Sequence, residues 1–485
     1  MFAASRFSLK ERLGYLTKAN KHSSLKSNII GDRGFYSRML TIVIPIIIQN
    51  TITNVVSLLD NVMVGRVGTL EMSAVAIDNQ LLFVFYICIF GGLSGAGIFA
   101  TQYAGAKDNN GVRNCFRVKL IIAFAMLMIA MTVFIAMPDK LISLYLAEET
   151  SPSDAAATLG FAGDYLKIML WGLVPFAISQ VYSSTLREFG ETKLPMISSI
   201  AAIAVNLVFN YFLIFGTFGF PKLGVVGAAI ATAFSRYVEL AIVVIFTHKR
   251  AEKYGFIQGV YSSLKIPRAL VKDIIRRGMP LLLNETLWSA GMATLLQCYS
   301  VRGLDVVAAA NIASTVANLF NVVFLSMGNA IAIMVGQHLG ANEIKEAKQT
   351  AWRLIAATVA ACAVMGAILA ACAPFIPYVY NTSEAVRQMA TRLLLVLAVM
   401  MPATSFAHDC YFTIRSGGRT LLTFVFDSAF MWLIAVPLAA VLANFTSLPI
   451  IELYLTIQLL EVVKGVIGFV MVEKGIWIRN IIIDE

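Results

Sequence analysis

The sequence predicts an all-α integral membrane protein of twelve transmembrane helices, arranged as two six-helix bundles related by a parallel repeat. Three observations predict it. Of 485 residues, 58% are hydrophobic and only 14% charged, with a mean hydropathy of +0.77, whereas a soluble domain carries about 25% charged residues. Apolar runs of bilayer-spanning length, about 20 residues each, follow one another with short polar breaks. The chain also matches itself when slid by 235 residues, placing Pro45 on Pro280, Thr51 on Thr286, Gly68 on Gly303, Gln102 on Gln337 and Gly105 on Gly340.

Taken in order, residues 1–38 form a polar, basic segment without the short apolar run and small-residue site of a removable signal peptide. Spans are expected at 39–61, 79–102, 117–137, 164–186, 194–216 and 225–247, making a first lobe over 39–247. A charged stretch, 248–277, reads as a linker with room for a surface helix. A second lobe over 278–473 holds spans at 279–300, 311–336, 352–373, 390–414, 421–443 and 450–473, followed by a tail at 474–485. With the amino terminus placed inside, 29 of the 38 Lys and Arg residues fall on the inner side and seven outside. This bias puts both termini, the linker and the tail in the cytoplasm of a plasma (inner) membrane protein.

Six spans per half is an even number, so both halves enter the membrane in the same direction and their symmetry axis runs along its normal. A later offset of 228 pairs Arg187, Gly190 and Thr192 with Arg415, Gly418 and Thr420. Paired bundles of this kind hold a substrate site between them and rock about it.

Polar groups inside spans carry the functional signal, because a carboxylate in hydrocarbon costs at least about 2.5 kcal/mol and needs water, a partner or a proton. Asp60 lies in the outer half of the first span. Asn206 and Asn210, spaced i, i+4, share one face of the fifth. Thr232 lies about two turns into the sixth, so four oxygen-bearing side chains are expected at one level. Such a set suits a proton on Asp60 or a hard monovalent cation, with sodium possible at Asp60, Asn206, Asn210 and Thr232. An interfacial Asp beside an Asn pair that glues helices is the plainer alternative.

The second lobe does not copy this arrangement, since Asp60 aligns with Leu295. Its acids, Glu285, Asp409 and Asp427, lie toward the inner side and could wall a cavity for cations, or pair with Arg415. Phe176, Tyr182, Phe406 and Tyr411 are candidates to line that cavity by cation–π contact, although each alone also suits core packing. Arg236 with Glu239, and Glu461 with Lys464, are i, i+3 pairs expected to neutralise each other.

Other classes find no support. The basic residues are dispersed through short connections, which disfavours nucleic acid. GxxxxGK[ST], HExxH and GxSxG are all absent from the sequence, so neither ATP use nor an enzyme is expected, and no cofactor is implied. The six cysteines lack CxxC spacing and read as small core residues.

With these features in place, the chain resembles the multidrug and toxic compound extrusion (MATE) family. The resemblance spans about residues 35–475 and rests on IPIIIQNTITNVVSLLDNVMVGRVG (44–68, with the flanking Val43), QYAGA (102–106), QHLGA (337–341), LREFGETKLPM (186–196), NLVFNYFLIFG (206–216) and GVVGAAIAT (224–232). It implies V-shaped lobes, a monomer embedded in membrane lipid, and export of small organic cations in antiport with protons or sodium. By motif position, Asp60, Asn206, Asn210 and Thr232 match the ion site of the first lobe and Glu285 an acid of the second. Some relatives carry Asp where this chain has Asn210, and the helix-ten Asp of relatives falls near Thr404 and not at Asp409. A flippase for a lipid-linked saccharide is the alternative from the same wider superfamily.

Overall fold

The computed structural model describes residues 30–145, 151–263 and 265–483. Most of the basic segment at 1–38 and the last two residues of the tail therefore lie outside the described residues. Twelve long helices are present among those described. In the first half they are α1 (Arg33–Gly65), α2 (Thr69–Gly105), α3 (Asn109–Ala136), α4 (Pro152–Glu188), α5 (Lys193–Phe215) and α6 (Val225–Lys249). In the second they are α7 (Arg268–Ser300), α8 (Leu304–Gly340), α9 (Ile344–Cys372), α10 (Glu384–Ser416), α11 (Thr420–Phe445) and α12 (Ile450–Glu473). Eleven are long and apolar enough to cross a membrane. The exception, α7, carries Asn284 and Glu285 in mid-helix and begins with a basic, charged turn.

Many helices outrun their apolar stretches. The second begins at Thr69, ten residues before the expected 79, and the fourth at Pro152, twelve before the expected 164. Side-chain caps mark several starts: Ser151 accepts the amide of Asp154 at 3.2 Å ahead of α4, Asp32 that of Phe35 at 2.7 Å ahead of α1, and Asp108 those of Asn110 and Gly111 at 2.9 and 3.1 Å ahead of α3, whereas α2 begins after Gly68 without one. The repeat is visible in the backbone. Pro45 and Pro280 sit inside α1 and α7, and Gly190 and Gly418 leave α4 and α10 with φ of +94° and +71°, a conformation that favours glycine. Helix α11 departs from regularity with two π-helical stretches, Val425–Ala429 and Met431–Ala435.

The linker is not free of the first lobe. Tyr254, Phe256, Ile257 and Val260 are buried in that lobe's core. Arg113 of α3 donates to the carbonyls of Gly255 and Phe256, and Arg117 to those of Gly259 and Val260 at 2.9 and 2.8 Å. Beside it, Glu191 accepts from Lys253 Nζ at 2.5 Å and from Tyr254 Oη at 3.1 Å. Burial raises the Glu191 carboxyl, but the Lys253 ammonium and the Tyr254 hydroxyl outweigh it and hold the group below its usual value. The same hydrogen bond raises Lys253.

The lobes meet toward the face that carries the start of α1 and the end of α12, hereafter the basic face. Packing is close where small residues allow it: a Cβ on Gly95 of α2 would lie 2.4 Å from Gly278 Cα of α7. At the basic face the repeated Q-x-x-G motifs form a clasp. Gln102 Nε2 donates to the carbonyls of Ser416 and Arg479 at 3.2 Å each, while Gln337 Nε2 donates to that of Glu188 at 2.9 Å and its Oε1 accepts from Arg38 at 3.0 Å. Ser416 and Glu188 end equivalent helices of the two lobes, so the clasp is nearly two-fold. The tail crosses it. Ile481 N donates to Gln102 Oε1 at 2.8 Å, Asn480 Nδ2 donates to the Gly340 carbonyl at 3.3 Å, and Trp477 is buried.

Candidate functional site

Asp60, Asn206, Asn210 and Thr232 come together from α1, α5 and α6. Asn210 Nδ2 donates to Asp60 Oδ1 at 2.7 Å. The Asn206 amide has two workable orientations. In one, its nitrogen donates to Thr232 Oγ1 at 3.1 Å and its oxygen accepts from Asn210 at 3.2 Å. In the other, its nitrogen donates to Asp60 at 3.1 and 3.2 Å and its oxygen accepts from the threonine hydroxyl at 3.1 Å. Both asparagines are buried, and Asn210 Oδ1 has no hydrogen-bond partner among the described residues. One carboxylate, two amide oxygens and a hydroxyl give a cluster whose amides can turn donors or acceptors toward the centre.

Below this cluster, nearer the basic face, Arg236 of α6 pairs with Glu239 at 3.1 Å and lies over the ring of Phe176 at 5.2 Å. Glu239 accepts from Ser199 at 2.7 Å, and Ser199 in turn accepts from Gln49 of α1 at 2.7 Å. These hydrogen bonds tie the three helices of the Asp60 cluster together at a second level.

In the second lobe, Glu285 of α7 accepts from Tyr411 Oη and from Arg415 Nη1, both at 3.3 Å. Its neighbour Asn284 donates to Tyr411 Oη at 3.2 Å and to Asp427 Oδ2 at 3.0 Å. Asp427 accepts from Lys464 of α12 at 2.6 Å, and Lys464 also reaches Glu461 at 3.7 Å. The network therefore holds three acidic side chains, Glu285, Asp427 and Glu461, and two basic ones, Arg415 and Lys464, one more acid than base. Asn284 Oδ1 further accepts from the backbone N–H of Ser428 at 3.2 Å, inside the π-helical stretch.

Several expected members stand elsewhere. Asp409 is fully buried on α10, does not pair with Arg415 and does not join Glu285 in a wall: Tyr411 and Arg415, one turn apart on the same helix, face Glu285, and Asp409 stands two residues before Tyr411, off that face. Tyr182 is buried against Phe116 at 4.9 Å and hydrogen-bonds His248 and Tyr261 near the basic face, away from both acidic groups. Phe176 packs at a tilt against Tyr86, ring centroids 4.4 Å apart, within the first lobe. Phe406 rests against Gly465 of α12. Of the four aromatics, Tyr411 alone touches an acid of the second lobe. Lys464 is closer to Asp427 than to Glu461, a pairing across 37 residues that helical spacing does not reveal. Asn284 is likewise a part of the network that its spacing alone did not announce, whereas the pairing of an acid with Arg415, one of the alternatives the sequence offers, falls to Glu285.

Residues 45–212 and 280–441, one stretch in each lobe, match the MatE family model. The chain belongs to the MatE family. It is therefore a multi-pass membrane transporter and not an enzyme. Among relatives of this MatE protein, the probable multidrug resistance protein YoeA of Bacillus subtilis is 25% identical over 425 residues, covering 86% of this chain and 89% of that protein. An outward-facing multidrug resistance MATE family transporter of the MOP superfamily superposes with a TM-score of 0.81 at 20% identity, over 94% of this chain and 98% of that one. A MOP superfamily transporter from Pyrococcus furiosus, for which reverse polarity of the binding pocket suggests a different function, superposes at 0.79 and 20% identity, over 94% and 99%. At such identities the likeness is one of fold, here the twelve-helix, two-lobe fold.

Proposed function

We propose that this chain is a secondary active antiporter that exports small organic cations in exchange for protons or sodium by alternating access, with both termini in the cytoplasm. The observation that carries the reading is the Asp60 cluster: a carboxylate held at 2.7 Å by Asn210 within a bundle of membrane-spanning helices. A charge placed there is costly unless an ion or proton accompanies it, so the group responds to an ion gradient. The residues fit sodium as well as a proton, since carboxylate, amide and hydroxyl oxygens suit a hard cation and Asn206 and Asn210 can present theirs by turning. Because position 210 is Asn, Asp60 is the one carboxyl of that cluster.

The second-lobe network is the proposed contact for cargo. Its surplus of acidic over basic side chains, with the Tyr411 ring beside them, suits a cation with an aromatic body. Ion and cargo would then favour different arrangements of the lobes, and exchange follows from that difference. A relative of similar fold with reversed pocket polarity supports treating polarity as the discriminator, and the surplus acid here favours cationic cargo over a lipid-linked saccharide. The role of a multidrug exporter is in keeping with the name of the Bacillus relative.

The test is uptake of ethidium by proteoliposomes under a pH gradient and, separately, a sodium gradient. Transport driven by one gradient names the coupling ion. Asp60→Asn should abolish that dependence while thermal unfolding stays near wild type; transport under neither gradient in the wild type overturns the antiport reading in favour of the flippase.

A further inference from the structure

The first lobe holds a further buried carboxyl, without a hydrogen-bond partner among the described residues, that the cycle above does not use. Asp78 lies on α2, nine residues past its first residue Thr69 and so roughly 14 Å along the helix. Asp60 and Asn210 stand five residues from the ends of α1 and α5 at the same face of the molecule, about one turn nearer that face. Asp78 is 0% exposed, on the buried side of α2 with Ala74, Val75, Leu81 and Leu82, and neither of its oxygens has a hydrogen-bond partner among the described residues.

The groups around it offer no counter-charge. Tyr165, buried on α4, is within electrostatic reach of Asp78, Asp60, Tyr86 and Arg236, and the arginine is committed to Glu239. On α3, Arg113, Arg117 and Lys119 are tied to the linker carbonyls and to Glu188 near the basic face. On α7, Glu285 is tied to Arg415. On the short helix Pro138–Ser143, Asp139 and Lys140 are exposed, and the acid and base at the ends of α8, Asp305 and His338, lie at its termini. A bare carboxylate with neither water nor donor is far less favourable than the same group carrying a proton.

We propose that Asp78 is a second proton-binding carboxyl of the first lobe, protonated in this conformation and ionised when water enters the seam between α2 and α4. In that step the carboxyl O–H bond breaks, the proton passes to water and a carboxylate remains. Its place in a transport cycle rests on the ion-coupled reading; its protonation does not. The lobe then carries two ion-linked groups, Asp60 and Asp78, in place of one.

The experiment uses full-length protein in lipid nanodiscs, with infrared difference spectra recorded across pH and proton release measured on adding ethidium. The expected result is a protonated-carboxyl band that titrates, vanishes in Asp78→Asn and persists in Asp60→Asn, with one fewer proton released by Asp78→Asn. An unchanged band in Asp78→Asn, or an Asp78 band that never titrates, overturns the proposal. Absence of ethidium-linked proton release in the wild type, with the Asp78 band still titrating, counts against the ion-coupled reading alone. Thermal unfolding checks the fold, and Asp78→Leu carries the same readouts should Asp78→Asn not accumulate.

Discussion

Replacing Gly340 by alanine probes the clasp directly. The added Cβ would lie 1.8 Å from the Gln102 carbonyl oxygen and 2.5 Å from its carbon, whereas real contacts stay beyond 3.0 Å. The opposing atom is backbone, so no side chain can turn aside. Helices α2 and α8 must separate by about 1 Å, at the point where Gln102 holds Ser416, Arg479 and Ile481. Overfilling a well-packed contact costs about 1–3 kcal/mol, which corresponds to a shift of about 5- to 150-fold between two states that differ in that contact. The assay is a distance distribution between spin labels on Phe218→Cys and Leu304→Cys, exposed positions of the two lobes at the face opposite the clasp, in a variant lacking the six native cysteines. On the alternating-access cycle proposed above, in which opening the basic face closes the other, Gly340→Ala should enrich the population in which these labels approach. Gly105→Ala, whose Cβ would meet the Gln337 oxygen at 1.9 Å, should act alike, and the pair should fall short of additivity because both relieve one contact. Unchanged distances together with an unchanged unfolding midpoint would refute the assignment of the clasp as a contact specific to this state.

Two further outcomes concern charge. Lys464→Met strands Asp427 in a buried setting and should destabilise the second lobe by about 3–5 kcal/mol in thermal unfolding, with most of the loss recovered by adding Asp427→Leu. Glu191, held below its usual value, stabilises the linker above the normal carboxylate range and loses that contribution as pH falls through its lowered value; Lys253, held high, keeps its contribution until pH rises through its raised one. Lys253 is more than half exposed, so the pair is worth under about 1 kcal/mol. Unfolding midpoints across pH should show Glu191→Gln with a flattened acid limb, and an identical limb in both proteins would refute the coupling.

The first-lobe cluster was legible because its cues are local. The i, i+4 spacing of Asn206 and Asn210 fixes a shared face, and counting residues from the span ends fixes depth. The second-lobe network was less legible, since each link joins different helices: Glu285 to Arg415, Asn284 to Asp427, Asp427 to Lys464. No periodicity within one helix encodes a partner on another. Asp78 escaped notice for a different reason. The apolar run suggests a span starting at 79, one residue too late to include it, whereas the helix reaches back to Thr69. Asp409 shows the converse: a carboxyl correctly placed in a span can still point into its own lobe, because α10 is apolar on several sides and its sequence does not say which one faces the cleft.

The two π-helical stretches of α11 have a consequence for how that helix is held. A wide turn breaks the regular ladder and leaves backbone groups seeking other partners. Here a side-chain oxygen of α7 accepts the N–H of Ser428, and the indole of Trp432 donates to the Leu287 carbonyl at 2.8 Å. The register of α11 is thus written partly in the sequence of its neighbour. Returning the turn to α-helical winding would swing the segment beyond it by about 100°, and Asn284 stands as the catch on that rotation, beside the acid that meets Arg415.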